Sequence, residues 1–245
     1  MPKLGDATAI KIGSTTVSKV YQGTTQVWPT GAPPAPSAYL NTVLSRASTP
    51  DPNPSYAFPF LFKAKLRGPQ TTGTGDQTIV SQYAASNRAF NLVRRGTSGV
   101  MTLNVTTDGA TLIGLSGGTI DIDKVNPIYI AMTYEDTGSN TYARRYLSAD
   151  GVSWTLYSTL TSSARVTAPI FNSTQVLRIG GKDADSSIGR WDDRIYWVEM
   201  RTGLDPAAGT LQWRFDATEH SSGTSWTDPR GLTWTITDAA ALVHE

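Results

Sequence analysis

The chain contains no cysteine and only two histidines, His220 and His244, in 245 residues. Without cysteine it has no disulfide framework and no thiolate metal site, and two histidines are too few for a typical zinc centre. Serine-histidine catalysis also lacks support, because the sequence has no G-x-S-x-G elbow and we expect the penultimate residue His244 to fray. P-loop and dinucleotide-binding fingerprints are absent.

Long apolar runs and an excess of one charge are missing too. No stretch approaches the roughly 18 apolar residues that span a bilayer. The N-terminal MPKLGDATAI lacks the apolar segment of a signal peptide. The formal net charge is +1, whereas proteins that bind phosphate backbones carry a basic excess. We therefore expect neither a membrane nor a nucleic acid as partner.

What the sequence does have is alternation of apolar and polar residues with a period of two, the pattern of half-buried β-strands. It is clearest in Phe58–Leu66, Val100–Thr106 and Ile128–Tyr134. Many short segments of this kind and no sustained helical period predict an all-β sandwich or jelly roll. The other candidate strands are Ile79–Gln82, Ala89–Arg94, Thr111–Leu115, Thr141–Leu147, Trp154–Leu160, Val176–Ile179, Arg194–Arg201, Leu211–Phe215 and Leu232–Thr237.

Two Asp-Gly pairs predict tight hairpins. Asp108-Gly109 follows Val100–Thr106, and Asp150-Gly151 follows Thr141–Leu147. Asp-Gly provides the positive φ angles that a two-residue hairpin turn needs. The second hairpin continues to Trp154, which we expect to pack beneath the turn.

The N-terminal stretch AIKIGSTTVSKVYQGTTQVW, Ala9 to Trp28, differs from the rest of the chain. Short β-type runs are separated by glycines and followed by the proline-rich PTGAPPAP. Because a proline-rich segment acts as a semi-rigid spacer, we predict three parts: an arm at residues 1–29, a linker at 30–38 and a β-sandwich at 39–245.

This arm resembles the start of many structural proteins of tailed phages, where the pattern I-K-[IV]-G-[ST]-x-x-V-x-K-V-Y-x-G-x-x-x-V-[WY] recurs. The resemblance implies a protein made in the host cytoplasm and attached by its arm to other virion proteins, on the particle surface or tail. The residues that would make the attachment are Ile10, Ile12, Val17, Val20, Tyr21, Val27 and Trp28.

The body, roughly residues 55–245, resembles concanavalin A-like lectin and laminin-G-like domains. Three stretches carry the resemblance: Ile79-Val-Ser-Gln-Tyr leading to Phe90-Asn-Leu-Val; Leu177-Arg-Ile-Gly-Gly leading to Gly189-Arg-Trp-Asp-Asp-Arg-Ile-Tyr and Gly203-Leu-Asp-Pro; and Trp213-Arg-Phe-Asp with the segment 223–236. The third looks like C-terminal segments of minor tail proteins from phages of actinobacteria. The resemblance implies a concanavalin A-like jelly-roll β-sandwich with a small N-terminal β-arm.

Together the two resemblances imply a minor tail or other surface-exposed virion protein that displays a lectin-like domain for adhesion to a host surface or glycan. The virion setting also implies a homo-oligomer, in which many copies add avidity. A capsid decoration protein without a ligand remains an alternative. A bacterial surface adhesion module is disfavoured by the lack of a signal peptide.

Sugar binding needs an exposed aromatic face with Asp, Asn or Arg beside it. Arg190, Trp191 and Asp192 provide this mixture, and Trp154 with Tyr157 forms a second candidate. Three other tryptophans, Trp197, Trp213 and Trp234, lie in apolar strand contexts and are predicted to be core.

Calcium is the one metal with a candidate site, and we expect no other cofactor. Asp183 and Asp185 begin a D-x-D-x-S loop of oxygen ligands, but the glycine and glutamate of an EF-hand loop are replaced by Ile188 and Arg194. Laminin-G-like domains often bind calcium near their ligand rim, so the resemblance adds to this candidate.

A glycan-degrading enzyme is the disfavoured alternative. Glycosidases need two carboxylates that converge on one bond. Neighbours on a strand point to opposite faces, so Asp192-Asp193 and Glu135-Asp136 do not form such pairs, and the E-x-D-x-x-E pattern of lectin-fold glucanases is absent. We therefore predict that the protein is not an enzyme.

Overall fold

The computed structural model describes residues 10–12, 15–17, 20–22, 25–28, 38–50, 52, 59–68, 75–84, 87–96, 98–120, 122, 126–162, 169–182, 189–220 and 222–244. The chain divides into two compact units, Met1–Ser37 and Ala38–Glu245. No helix in these described ranges is long and apolar enough to cross a membrane.

The first unit contains two short antiparallel hairpins. β1 (Ile10–Ile12) pairs with β2 (Thr15–Val17), and β3 (Val20–Gln22) pairs with β4 (Thr25–Trp28). Two-stranded pieces of this size are marginal in isolation. The predicted attachment residues lie on these strands: Ile10 and Ile12 on β1, Val17 on β2, Val20 and Tyr21 on β3, and Val27 and Trp28 on β4.

The second unit is a sandwich of two antiparallel sheets. In chain order its strands are β5 (Ala38–Asn41), β6 (Ala47–Thr49), β7 (Phe60–Leu66), β8 (Gln77–Gln82), β9 (Phe90–Arg94), β10 (Val100–Val105), β11 (Ile113–Thr119), β12 (Ile128–Asp136), β13 (Thr141–Ser148), β14 (Thr155–Ser162), β15 (Leu177–Ile179), β16 (Arg194–Thr202), β17 (Leu211–Asp216), β18 (Ser225–Thr227), β19 (Thr233–Thr235) and β20 (Leu242–His244). Two 3₁₀ turns are also described, Ala217–Glu219 and Ala239–Ala241.

The strands are distributed so that the chain repeatedly crosses between the sheets. The first sheet has the order β11-β10-β9-β8-β15-β6-β19-β18, and the second has the order β14-β13-β12-β7-β16-β5-β20, with β17 also on β16. Two meanders, β8 to β11 and β12 to β14, form adjacent halves of the two sheets. The prediction of an all-β, jelly-roll-type sandwich is confirmed.

The hydrophobic core lies between the two sheets. Phe62 on β7 meets Phe90 on β9 with ring centroids 4.8 Å apart, and Phe215 on β17 meets Trp234 on β19 at 5.2 Å. Both contacts join one sheet to the other, and large aromatic side chains bury the most area per residue in such a core. Trp213 and Trp234 are fully buried, as predicted. Phe58, predicted to share this face, lies outside the described residues.

Both predicted hairpins form, since β10 pairs with β11 and β13 with β14, but their turns are longer than the two residues expected. Strands β10 and β11 are joined by residues 106–112, and β13 and β14 by residues 149–154. Gly109 and Gly151 have positive φ, but Asp108 and Asp150 do not. Instead each aspartate Oδ1 accepts hydrogen bonds from two later backbone N–H groups at 2.7–2.8 Å. A side-chain turn of this kind replaces the backbone turn.

Two further expectations fail because tertiary contacts decide them. His244 does not fray: it pairs with Ala38 as part of β20, and its ring stacks on that of His220 with centroids 5.7 Å apart. Trp197 is half-buried and does not belong to the core. It lies on the outer face of the second sheet, against Tyr129.

Candidate functional site

Two loops meet at Arg190, Trp191 and Asp192, the first candidate site of the sequence analysis. The 42–46 loop joins β5 to β6, and the 189–193 loop precedes β16. Thr42 donates from its backbone N–H and from Oγ1 to the carbonyl of Asp193, at 3.0 and 2.6 Å. Arg190 Nη1 donates to the carbonyl of Val43 at 3.0 Å. These bonds fix the two loops against each other.

Trp191 is not a ligand-binding aromatic. Its side chain is fully buried, and its indole N–H donates to the carbonyl of Arg67 at 2.9 Å. A ring with no exposed face cannot stack on a sugar, so this part of the prediction is wrong. Trp191 instead anchors the 189–193 loop to the body of the sandwich through its buried ring and this hydrogen bond.

Asp192 follows Trp191 in a left-handed backbone conformation, with φ of +72°. Such a conformation is uncommon for a non-glycine residue, although aspartate tolerates it better than most, and residues in sparsely populated regions cluster at functional sites. In this conformation the carboxylate of Asp192 lies beside Arg190, with Oδ1 3.2 Å from Nη2. Asp193 takes a different direction: Arg67 donates to both of its carboxylate oxygens, at 2.9 and 2.7 Å.

A cavity of about 160 Å³ opens between the two loops. We call it the arginine pocket, because three guanidinium groups line it and none of its described lining residues is acidic. Val43 and Leu44, which are 46% and 49% exposed, form an apolar part of its wall. The lining residues are Thr42, Val43, Leu44, Ser45, Arg46, Ser48, Arg178, Arg190 and Thr237.

A second cavity of about 330 Å³ lies on the other side of Val43, which lines both. We call it the tyrosine pocket, and its lining residues are Tyr39, Asn41, Val43, Arg67, Asp192, Asp193 and Arg194. Its carboxylate, amide and guanidinium groups are of the kinds that bind sugar hydroxyls, whereas Tyr39 is 8% exposed with Arg194 over its ring. Asp192 lines this pocket and Arg190 lines the other, so their ion pair stands at the boundary.

A series of aromatic rings and cations, each in contact with the next, runs from the tyrosine pocket across the outer face of the second sheet. Each cation lies within the distance at which a ring face attracts it, about 6 Å. In order, the series is Arg194, Tyr39, Tyr196, Lys65, Tyr129, Trp197, Lys63 and Trp154, with successive separations of 4.0, 5.8, 4.8, 5.4, 5.9, 6.0 and 5.1 Å. The series thus connects the tyrosine pocket with Trp154 through one sheet face.

Glu199, beside this series, is 1% exposed and fully paired. Lys63 Nζ lies 3.3 Å from its carboxylate, and Arg201 and Arg214 lie at 2.7 and 3.1 Å. Burial acts to raise the pKa of Glu199, but the hydrogen bond from Arg201 and the three positive charges outweigh burial, so the pKa is lowered. The carboxylate therefore stays ionised and holds the cations in place.

Trp154 and Tyr157 do not form one site. Trp154 is half-buried beside Lys63 on the outer face. Tyr157 is 48% exposed, and its hydroxyl donates to the carbonyl of Thr119 at 2.7 Å on the flank where β14 meets β11. Its ring faces Arg145, a residue whose Nη1 donates to Gly118 of the other sheet. The two aromatics therefore point to opposite sides of their sheet.

Sequence analysis missed Tyr39, Arg46, Arg67 and Arg178 as site residues. Arg178 lies in the quoted Leu177-Arg-Ile-Gly-Gly stretch, so its motif was a signal. Pairing of β15 with β6 then brings Arg178 opposite Ser48, next to the 42–46 loop. The predicted calcium ligands Asp183 and Asp185 lie outside the described residues. Within the described ranges, no cluster of three His, Cys, Asp or Glu residues is placed to hold a metal.

Comparisons with known proteins give a general likeness of fold. No protein-family model matches the chain, and no curated protein matches it. A heptameric SAP-like pentraxin from Limulus polyphemus is 13% identical, with a TM-score of 0.41 over 69% of this chain and 81% of that one. Domains LG4-5 of the mouse laminin alpha1 chain are 11% identical, with a TM-score of 0.44 over 80% of this chain and 50% of that one.

A third similar structure is the receptor binding domain of botulinum neurotoxin type G. It is 14% identical, with a TM-score of 0.37 over 60% of this chain and 36% of that one. The chain thus spans half or less of the laminin and neurotoxin chains that it matches. Since all three scores lie below 0.5, the sandwich assignment rests on the strand pairing of this chain itself.

Proposed function

We propose that this chain is an adhesion module on the surface or tail of a phage virion, with an N-terminal arm for attachment and a lectin-like sandwich that binds a host-surface glycan. The observation that carries the binding part is the pair of pockets around Arg190 and Asp192. Guanidinium, carboxylate and amide groups surround Tyr39 there, and the strained φ of Asp192 is the kind of cost that functional sites retain.

The attachment part is supported by the arm and its resemblance to tailed-phage proteins. Hairpins of three- and four-residue strands are marginally stable alone. A partner surface would stabilise them, and other virion proteins are the partners that the resemblance implies. Mass spectrometry of purified particles tests this part, since a chain absent from every particle would contradict the virion assignment.

A homo-oligomer is supported by the flank formed by β11 and β14. These edge strands contain seven and eight residues and no charged side chain, whereas the edges at the opposite flank, β18 and β20, have three residues each. Long uncharged edges favour pairing with another strand, and short or charged ones prevent it. The absence of charge suits a second copy of the same edge, and several copies would convert weak glycan binding into avidity.

A binding role is favoured over catalysis by the state of the carboxylates at this site. Asp192, Asp193 and Glu199 are each held by at least one cation. A general acid requires a raised pKa, but that of Glu199 is lowered. A capsid decoration protein without a ligand is the alternative, and it predicts no retention on glycan at all.

The decisive experiment incubates the full chain with host-wall glycan and measures both retention and release of soluble product. We expect retention without cleavage. Replacing Arg190 by alanine should weaken retention, whereas Arg95→Ala, which removes a comparable Arg–Asp pair that is nearly half exposed, should not. Product release would indicate an enzyme, and no retention of the unmodified chain would indicate the decoration role.

A further inference from the structure

We infer that the arginine pocket binds the anionic group of an acidic glycan: a phosphate, sulfate or carboxylate. This inference rests on the proposed function and adds the chemical class of its ligand. Arg46, Arg178 and Arg190 line one cavity whose described wall carries no acidic side chain. The neighbouring tyrosine pocket has Asp192 and Asp193 beside its own two arginines. Among the described lining residues, the acidic side chains thus lie in the tyrosine pocket and not in the arginine pocket.

The guanidinium group of Arg190 is fixed in position by two contacts. Its Nη1 donates to the carbonyl of Val43, and its Nη2 faces Asp192. The third nitrogen, Nε, is buried with no hydrogen-bond partner among the described residues. Buried polar atoms nearly always have a partner, so an unpaired one calls for an explanation. The planar guanidinium fork suits a tetrahedral or planar oxyanion.

Local packing keeps Arg46 in the wall of the pocket. A side chain at position 181 would collide with it, because a Cβ placed on Gly181 would lie 2.1 Å from Arg46 Cδ. Ser81 Oγ donates to the carbonyl of Gly181 at 2.9 Å and fixes that stretch of backbone. Because Gly181 has no side chain, it leaves the space in which Arg46 lies.

The sizes of the two pockets suggest how the ligand would be divided between them. At about 160 Å³ the arginine pocket is smaller than the roughly 300–1,000 Å³ of a typical small-molecule site. It has room for a charged substituent, not for a whole oligosaccharide. The adjoining tyrosine pocket of about 330 Å³ would take the neighbouring sugar unit, with Val43 between the two.

The test introduces a negative charge at a half-exposed position in the wall of the pocket. Leu44 is 49% exposed at the wall of the pocket, so Leu44→Glu adds a negative charge there without burying it. Val152→Glu, at a residue that is 75% exposed on the β13–β14 loop, is the matched control. Dissociation constants would be measured by affinity electrophoresis of the full chain in gels that contain host-wall glycan, separated by anion exchange into acidic and neutral fractions.

We expect the acidic fraction to bind more tightly than the neutral one. Its binding should weaken as the salt concentration is raised, because salt screens the attraction between charges. Leu44→Glu should weaken that binding about tenfold or more, because the added carboxylate repels an anion at close range, and Val152→Glu should not. Competition by inorganic phosphate, inorganic sulfate or acetate would identify the anionic group. Equal binding of both fractions, or equal effects of the two variants, would overturn the anionic class and leave glycan binding standing. Retention of neither fraction would overturn the proposed function itself.

Discussion

Arg67 forms a two-pronged ion pair with Asp193, and its backbone carbonyl accepts the indole N–H of Trp191. One residue at the end of β7 therefore holds both the charge and the aromatic anchor of the 189–193 loop. The carboxylate of Asp193 is 5% exposed. Removing one partner of a buried pair leaves the other charge without compensation.

We therefore expect Arg67→Ala to lower the free energy of unfolding by about 3 kcal/mol. Arg95→Ala is the control, because the Arg95–Asp76 pair is 46% and 40% exposed and such surface pairs contribute about 0–1 kcal/mol. Urea denaturation followed by tryptophan fluorescence measures both. Equal losses for the two variants would show that Asp193 does not depend on Arg67.

A pH dependence follows from the two aspartate-centred hairpins. Hydrogen bonds from the backbone N–H groups of Ala110 and Thr111 and from Thr106 lower the pKa of Asp108, and equivalent bonds from Ser153, Val152 and Ser148 lower that of Asp150. A carboxyl with a depressed folded-state pKa stabilises the fold above its unfolded pKa, about 3.9. That stabilisation is lost as the pH falls towards the folded-state value.

The melting temperature of the Asp108→Asn/Asp150→Asn double variant should therefore vary less than that of the unmodified chain between about pH 5 and pH 2. Asp76→Asn serves as the control, since Asp76 makes an exposed pair with Arg95. Differential scanning calorimetry across this range would show the difference. Parallel curves for the double variant and the unmodified chain would mean that the hairpin carboxylates contribute nothing to acid stability.

The sequence predicts the long strands of this fold because their alternation is a local property. Three stretches of clear period two became β7, β10 and β12. Strands β5, β6, β18 and β20 were missed, since three or four residues show little of a period. The equally short β15 and β19 were found because they lie within the longer candidate segments Val176–Ile179 and Leu232–Thr237. They form because neighbouring strands supply hydrogen-bond partners, and no local pattern contains that information.

The sequence indicated residues that lie beside cavities, but not which of them are exposed. Arg190 and Asp192 do line pockets, whereas Trp191 between them is buried. Trp197, predicted to be core, is half-buried on the outer face. The direction of a side chain depends on strand pairing and on backbone strain such as that at Asp192, and neither is visible in a single sequence.

Two glycines separate steric contact from backbone strain. Gly151 has φ of +76°, and a Cβ there would lie 2.7 Å from Tyr129 Cε1, a ring of the outer-face series. Gly138 has a similar φ of +84° with nothing within 4 Å. Both alanine variants incur the left-handed strain, about 1 kcal/mol, but Gly151→Ala should lose more stability because Tyr129 must move. Chemical denaturation measures the free energy of unfolding of both variants. Equal decreases would show that the Tyr129 ring moves aside without a cost in stability.

Self-association through β14 predicts a specific monomerising change. Thr159 is exposed near the middle of this edge strand. A lysine there would place two like charges together in a paired edge, so Thr159→Lys should shift the chain towards the monomer. Thr227→Lys, on the three-residue edge strand β18, is the control. Sedimentation velocity over a range of concentrations measures both, and an unmodified chain that stays monomeric throughout would contradict an interface at this edge.

Asp192 allows stability and binding to be tested separately. Asparagine tolerates the left-handed conformation at least as well as aspartate, so Asp192→Asn should change the free energy of unfolding by less than about 0.5 kcal/mol. It nevertheless removes the charge that faces Arg190 Nη2 and lines the tyrosine pocket. If the strained backbone exists to present this carboxylate to a sugar, the variant should lose retention on host-wall glycan while its denaturation midpoint stays unchanged. Unaltered retention on the glycan would show that Asp192 has only a structural role in its turn. The binding assignment would then depend on the arginine pocket alone.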